Sequence, residues 1–449
     1  MSTVKKSYSF VPYSCIYIDA QWQDFKTAIL RSLSCHDKSD EVTNRLRKLW
    51  MTGMDSHFIF PCLSVRSSVD LYFQIKNFPP GSEIIMSAIN IPSMAHIIRH
   101  HRLRIIPLDI SIETVAPKVE LLESLITHKT VAILIAHLYG KRCCLDSIIQ
   151  IAKKYKVAVI EDCAESFDGL DNLSHPETDL ALFSFGIIKY FTSFGGAVAV
   201  VKDQSDYAQM MKLHSTYPVQ NRSAYLRKVL KYCAVYFILE SRRFIQMSVS
   251  VLNYAGIDYQ NCVVKLLRGF PDRLIENIRY QPSVPLLSMM LHRHSHIESD
   301  ELQLQRIKGK YVESQLPPEL ETVGTRAEIN NYWLFPILVE NPDTYVATIK
   351  ALGIDAYRGA TQLNLIEPDP VDTGNKDSTE EEREDLQRKN LFYYPHEAKY
   401  LIDHVVYLPI NKRVPFPVLD HIIKMAKTAL RLNRQTKIHT LTPSIQSKL

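Results

Sequence analysis

TVAILIAHLYGKRCCLDSIIQIAKKYKVAVIEDCAESFDG, residues 130–169, holds two apolar runs separated by a segment that reads as a helix. A strand with one wet face alternates apolar and polar positions. Val131 to Ala136 and Val157 to Ile160 are instead apolar throughout, the pattern of strands buried on both faces of a mostly parallel sheet. The second run ends in Glu161 and Asp162. A carboxylate at the end of a buried strand is costly unless it meets a cation. Either a basic side chain lies nearby or a bound molecule supplies the charge.

The alternation extends outward over residues 80–202. SEIIMSAINI reads as a strand, PSMAHIIRHH as a helix opened by Pro92, LRIIPLDI as a strand, and APKVELLESLI as a helix with Val119, Leu122, Leu125 and Ile126 on one face. This order predicts an α/β fold, a three-layer α/β/α sandwich around a mostly parallel central sheet. Ligands of such sheets sit beyond the carboxyl ends of the strands, which places Asp162 at the mouth of a site. Past residue 202 the chain is helix-rich, with PLLSMMLHRHSHIESDELQLQRIKGKYVESQL as one long helix or two. A smaller α+β unit follows, with NYWLFPILVE and VVYLPI as strands and PDTYVATIKALGI and FPVLDHIIKMAKTALRLN as helices. Glu367 to Asn390 is polar and charged and reads as a surface insertion.

At 449 residues the chain exceeds the size of one growing core, so several domains or subdomains are expected. Hydrophobic residues at 46% and charged ones at 22% fit an ordinary globular protein, and 53 basic against 48 acidic residues argue against a dedicated nucleic-acid binder. The eight cysteines lack zinc or Cys-x-x-Cys spacing and read as reduced thiols in a cytoplasmic setting. The N-terminus has no apolar core of a secretory signal, and no run reaches the ~18 apolar residues of a spanning helix. Tyr225 to Ile257, interrupted by Glu240-Ser241-Arg242-Arg243, has two readings: a helical hairpin packed on the core or a second subunit, or an interfacial segment in peripheral contact with a membrane. His292 and His296 lie four apart, a spacing that two metal ligands can use, but no further ligand accompanies them and no metal site is expected.

The chemistry concentrates around TDLALFSFGIIKYFTSFGGAVAVV. Lys189 follows a buried-looking strand and sits among Phe183, Phe185, Ile187 and Ile188. A lysine in apolar surroundings loses its proton more readily and becomes a usable amine nucleophile, although a lone one more often snorkels to solvent. Ser184 and Asp162 precede it, each at or just past a strand end. An aldehyde cofactor with a ring nitrogen and a phosphate needs these functions: an amine for a Schiff base, a carboxylate for the ring nitrogen, and hydroxyl and N–H groups for the phosphate.

The order Asp162, then Ser-Phe-x-x-x-Lys, then Gly-Gly-Ala-Val resembles the DegT-type nucleotide-sugar aminotransferases, which are pyridoxal-phosphate enzymes of the aspartate-aminotransferase fold, PLP transferase fold type I. The likeness includes AHLYG, VIEDCAESFDG and the segment from Tyr332 to Ile354. It implies pyridoxal 5′-phosphate as cofactor, Lys189 as the residue that holds it as an aldimine and shuttles the proton, and Asp162 on the pyridine nitrogen. Ser184 is implied at the phosphate and Glu165 near the ring hydroxyl, where many relatives have Gln or His. Glu161 receives no catalytic role, and His137 reads as a satisfied core or edge histidine.

Three departures from the family pattern stand out. LSVRSSVDLYF replaces the usual Ser-Gly-Thr-Ala-Ala-Leu, so Arg66, Ser67 and Ser68 are candidates for the phosphate, with an ordinary helix N-cap as the other reading of the two serines. Ile91 stands where relatives place an aromatic on the ring. In relatives a residue of the neighbouring subunit completes the phosphate site. Arg279, Tyr280 and Gln281, in IRYQPSVPLL, are the candidates here, a mere surface charge being the alternative for Arg279.

The expected organisation is an N-terminal segment 1–55, a large cofactor-binding domain 56–285 with a helical insertion at about 220–265, a small domain 286–433 with the charged loop 367–390, and a tail 434–449. The expected activity is transfer of an amino group from glutamate to a nucleotide-linked keto-sugar by a homodimer with shared active sites. The alternatives are a PLP enzyme of another reaction type, such as sugar dehydration, and a degenerate fold-mate serving as a binding or membrane-associated scaffold. Relatives that dehydrate sugars carry His where Lys189 stands.

Overall fold

A computed structural model describes residues 13–15, 17–34, 37–51, 58–171, 173–256, 259–267, 272–359, 362–369 and 393–441. Most of the charged loop 367–390 and the end of the tail lie outside the described residues.

The chain opens with α1 (Trp22–Ser34) and α2 (Ser39–Met51) and enters a sheet at β1 (Phe58–Cys62). There follow α3 (Val65–Lys76), β2 (Glu83–Ser87), β3 (Ile89–Asn90), α4 (Pro92–His100), β4 (Arg104–Leu108), α5 (Val119–Leu125), β5 (Thr130–Ala136), β6 (Lys141–Arg142), α6 (Asp146–Tyr155), β7 (Ala158–Asp162), β8 (Leu180–Ser184) and β9 (Ala197–Val201). The seven-stranded sheet has the order β1-β9-β8-β7-β5-β2-β4. From β4 to β8 all neighbours are parallel, while β9 runs antiparallel to both β8 and β1.

Both faces are apolar because successive residues of a strand point to opposite sides. Ile84, Leu134, Ile160 and Leu182 join the core beneath α3, α4 and α7 (Gln204–His214). Ile85, Ile133, Val159 and Phe183 point the other way, the first three against α5 and α6 and the last into an aromatic cluster with Trp50, Phe167 and Phe185. Trp50 Nε1 donates to His294 Nδ1 over 3.1 Å, and burial depresses that histidine's pKa to about 3, so it stays a neutral acceptor.

Past the sheet come α8 (Arg222–Glu240), α9 (Arg242–Tyr254), α10 (Tyr259–Leu267), α11 (Leu274–Ile278), α12 (Val284–His294) and α13 (Ser299–Gln315). The apolar histidine-rich segment is thus two helices. α12, placed by the sequence at the start of the small domain, packs on α1, α2 and α8 instead, because Leu286, Met289 and Met290 face the core of the large sheet. α8 is held by Tyr225, Val229, Tyr232 and Tyr236, the packed-hairpin reading, while Phe244, Met247, Val251 and Tyr254 of α9 are exposed. No helix of the described residues is long and apolar enough to cross a membrane.

The C-terminal part contains β10 (Glu321–Thr322), β11 (Ile329–Asn330), β12 (Phe335–Leu338), α14 (Pro342–Ala351), β13 (Asn364–Leu365), α15 (His396–His404), β14 (Val405–Leu408) and α16 (Phe416–Leu441). β12 pairs antiparallel with β10 and β14, and Tyr345, Ile349, Leu419, Ile422 and Ala426 of the helices complete that core. Two short antiparallel pairs, β11 with β6 and β13 with β3, join this part to the large sheet beside the carboxyl ends of its strands.

Glu161, at the end of β7, is 1% exposed and saturated. It faces His137 Nε2 at 3.0 Å and Arg142 Nη2 at 3.4 Å, and accepts from the His175 N–H at 2.9 Å and the Thr178 hydroxyl at 3.1 Å. Burial opposes its ionisation, but the His137 hydrogen bond and the charges of His137 and Arg142 overcome this and hold its pKa down to about 2. Because the folded pKa lies below the ordinary 4.5, this contribution is present above pH 4.5 and is lost as pH falls towards about 2. Glu161→Ala leaves His137 and Arg142 buried without their anion and is expected to lower stability at pH 7 by about 3–5 kcal/mol in urea unfolding, with the difference from wild type shrinking as pH falls below 4.5.

Candidate active site

A cleft opens at the carboxyl ends of the parallel strands. Its wall includes Ser64, Val65 and Arg66 at the start of α3, Asn90 and Ile91 before α4, His137 and Leu138 after β5, and Asp162, Ala164 and Glu165 after β7. Ser184 at the end of β8, the turn from Gly186 to Lys189, Gly195 and Gly196, and Lys228, Tyr232 and Leu267 of the helical insertion complete it, with Gln362 and Leu363 beside β13.

Asp162 points into this cleft. One oxygen accepts the Ala164 N–H at 3.0 Å, and among the described residues no basic side chain is hydrogen-bonded to it. Burial raises its pKa to about 6, a rise that the Ala164 N–H and the Lys189 charge only partly offset. The charge therefore lacks a partner of the kind Glu161 has. In the same cleft wall, the Asn90 side-chain amide nitrogen is buried without a hydrogen-bond partner among the described residues.

Lys189 Nζ lies 3.2 Å from Glu165 Oε1 and 4.0 Å from the centroid of the Trp333 ring. The apolar surroundings expected from its sequence neighbours are thus replaced by a carboxylate and an aromatic face, since Phe183 and Phe185 turn into the core. Glu165 is held in turn by the Tyr139 N–H, which donates to Oε2 at 3.2 Å. Trp333 is anchored by its indole N–H on Ile188 O at 2.9 Å, and Asn331 braces it by donating to Phe167 O at 3.0 Å. Segment 331–333 approaches this closely because Gly140 has no side chain. Its φ is +87°, and a Cβ there would meet Asn331 Oδ1 at 2.1 Å and the Trp333 nitrogen at 2.7 Å.

Asp162, Ile91, Glu165, Ser184, Lys189 and Arg66 are brought together. Arg66 donates to Ser93 Oγ at 2.6 Å, and burial lowers its pKa against the opposing field of Asp162. Ser67 and Ser68 turn away: Ser67 Oγ donates to Ile278 O at 2.7 Å, and Ser68 Oγ meets Cys62 Sγ at 2.8 Å. Ser64 is the cap of α3, accepting the Ser67 N–H on its side chain. Arg279 is also elsewhere in this chain, bound to buried Asp70 through Nε at 2.8 Å and Nη2 at 3.0 Å. Sequence reasoning missed Asn90, Trp333 and Lys228. Trp333 was legible only as part of a strand, and Lys228 only as one of several basic residues of an insertion.

The arrangement can hold a flat molecule that is cationic where it meets Asp162 and anionic where it meets Arg66 and the amino end of α3, with the amine of Lys189 at hand. His137, Glu161 and Cys163 place ligand atoms close enough for a metal ion, but Arg142 already occupies the same Glu161 oxygen.

Residues 63–233 match the model of the DegT/DnrJ/EryC1/StrS aminotransferase family. GDP-perosamine synthase of Escherichia coli O157:H7 is 33% identical over 129 residues, 28% of this chain and 35% of that protein. UDP-4-amino-4-deoxy-L-arabinose--oxoglutarate aminotransferase of Shewanella sediminis is 28% identical over 211 residues, 46% of this chain and 53% of its own. The chain thus aligns with about a third to a half of the length of these relatives. Among solved structures, Helicobacter pylori PseC, an aminotransferase involved in the biosynthesis of pseudoaminic acid, superposes with a TM-score of 0.64 at 14% identity, covering 93% of this chain and 98% of its own. GDP-4-keto-6-deoxy-D-mannose-3-dehydratase of E. coli, with bound hydrated PLP, gives 0.61 at 15% identity, covering 93% and 100%. These two likenesses establish the fold, the three-layer sandwich expected from the strand pattern. Residues 63–233, the stretch that carries Asp162, Ser184 and Lys189, are the part of this chain that is similar to the DegT/DnrJ/EryC1/StrS aminotransferase family.

Proposed function

We propose that this chain is a PLP-dependent aminotransferase that moves an amino group from glutamate to a keto-sugar joined to a nucleotide. The observation that carries the reading is Asp162, a buried carboxylate without a cationic partner, set in one cleft with the amine of Lys189. A cofactor that brings a protonated ring nitrogen to the first and an aldehyde to the second fits both. The relatives' names support the substrates, a GDP-linked amino sugar in one and a UDP-linked amino sugar with oxoglutarate, the keto acid of glutamate, in the other.

Pyridoxal phosphate, when bound, supplies a ring that takes up the electron pair released as the donor's Cα–H bond breaks. Asp162 holds the proton on the pyridine nitrogen, and its burial makes that charge pair strong. Ile91 covers the ring by dispersion. Arg66, the N–H groups at the amino end of α3 and Ser184 bind the phosphate. Lys189 Nζ would hold the cofactor's aldehyde at rest and, as a free amine, would move the proton at the donor's Cα. Glu165 Oε1 and the Trp333 face steer that amine. The homodimer and the cytoplasmic setting expected from the sequence belong to the same reading.

Pyridoxal phosphate added to the purified protein is expected to produce a visible absorption band that L-glutamate shifts and that Lys189→Ala lacks. Identical spectra for wild type and variant would overturn the proposal. Asp162 supplies an independent check. Its folded pKa of about 6 exceeds the ordinary 3.8, so the cofactor-free protein is favoured below pH 3.8 and loses that advantage as pH rises through 6. The loss amounts to about 3 kcal/mol at 1.36 kcal/mol per pKa unit. Asp162→Asn is therefore expected to make the cofactor-free protein more stable than wild type at pH 8, in urea unfolding, while weakening cofactor binding.

A further inference from the structure

Lys228 is the charged residue of the cleft that neither the sequence pattern nor the matched motifs account for. It lies in the second turn of α8, whose start is fixed by Asn221 accepting the Ser223 N–H. Tyr225, Val229 and Tyr232, one to four residues away on the same helix, are buried in the core and fix the helix's rotation. That rotation turns Lys228 into the cleft wall, where its ammonium packs against Gly195: a Cβ built on that glycine would stand 3.0 Å from Nζ. Gly195 has a φ of +148°, and its lack of a side chain is what admits the ammonium.

No carboxylate answers this cation. Among the described residues Lys228 makes no hydrogen bond or ion pair, its nearest aromatic contact being the Tyr232 ring at 5.8 Å. Burial, then the charges of Lys231 and Arg66, push its pKa down to about 8. A lysine in that state has lost water and gained only like-charged neighbours, which costs stability unless an anion enters. The groups around it are suited to an anion: Arg66, the opening turn of α3 and Ser184. Ser64 takes the Ser67 and Ser68 N–H groups at the start of α3, and Val65 and Arg66, the first two residues of that helix, line the same cleft.

We propose that Lys228 is a phosphate-binding residue of this site, closing with Arg66 and the amino end of α3 around a phosphate monoester and completing that end of the cleft from within one chain. The inference rests on the reading of the cleft as a pyridoxal-phosphate site. It gives the helical insertion a function: α8 carries into the cleft the cation that Arg279, held by Asp70 in this chain, does not supply.

Spectroscopic titration with pyridoxal 5′-phosphate and with pyridoxal, its phosphate-free counterpart, tests this on the purified full chain, alongside thermal unfolding with inorganic phosphate. Lys228→Met is expected to weaken binding of the phosphorylated aldehyde by about tenfold or more, the scale of a lost charge-assisted hydrogen bond. It should leave pyridoxal binding unchanged and reduce the phosphate-induced rise in Tm, and Lys228→Arg should restore most of the loss. Equal weakening for both aldehydes would make Lys228 a structural residue and overturn the proposal, as would wild-type affinity for pyridoxal phosphate in Lys228→Met. In that last case an intact Lys189-dependent band keeps the cofactor reading. If wild type forms no band at all, the cofactor reading fails and the phosphate arm still decides: a Tm rise lost in Lys228→Met supports an anion site at Lys228, and one retained overturns it.

Discussion

Two adjacent carboxylates at the carboxyl end of one buried strand set the terms for the rest of the molecule. Successive residues of β7 must point to opposite faces. Glu161 therefore enters the layer where His137, Arg142, Thr178 and the backbone of His175 neutralise it, and Asp162 enters the cleft. The same burial acts on both. It is overcome at Glu161, whose pKa falls to about 2, and it prevails at Asp162, whose pKa rises to about 6. One acid is a structural anchor and its neighbour a binding group because, among the described residues, the protein gives hydrogen-bonded cations to Glu161 and none to Asp162.

The fold was legible because its signal is local. Strands buried on both faces must be apolar throughout, and the helices between them must fill the crossovers, so β2, β4, β5 and β7 with their helices could be read from consecutive residues. Asp162, Ser184 and Lys189 were legible for the same reason, since each ends a strand or follows one closely. What was not legible depends on contacts between distant segments. Ser67 and Ser68 look like phosphate ligands in the sequence, yet the helix they start needs one of them against Ile278 and the other against Cys62. Arg279 looks like an unclaimed cation until Asp70, 209 positions earlier, takes it.

Trp333 and Lys228 belong to the same class. The tryptophan reaches Lys189 because Gly140 lets segment 331–333 lie against the turn after β5 and because β11 pairs with β6. A pattern of apolar residues predicts a strand over NYWLFPILVE, of which Phe335–Leu338 forms one, but it does not report which residue of another unit the Trp333 ring will cover. Lys228 depends on the rotation of α8, and that rotation is set by tyrosines and valines whose partners lie on α1 and in the core. Function in this cleft is thus divided. The parallel sheet places the chemistry, and elements brought in from elsewhere steer the amine and balance the charge.

That balance explains why an acid is tolerated at position 165. Arg66, Lys189 and Lys228 bring three positive charges to the cleft wall, and Asp162 and Glu165 bring two negative ones. With Gln at position 165 the excess would double, and the amine of Lys189 would lose its anionic neighbour at 3.2 Å. Glu165 keeps the positive excess away from Lys189 and leaves it with Arg66 and Lys228, whose charges act on each other. A cleft with this distribution repels a second cation near its phosphate end and tolerates a protonated ring beside its acids. Its polarity therefore orients a molecule that carries both charges before any shape recognition begins.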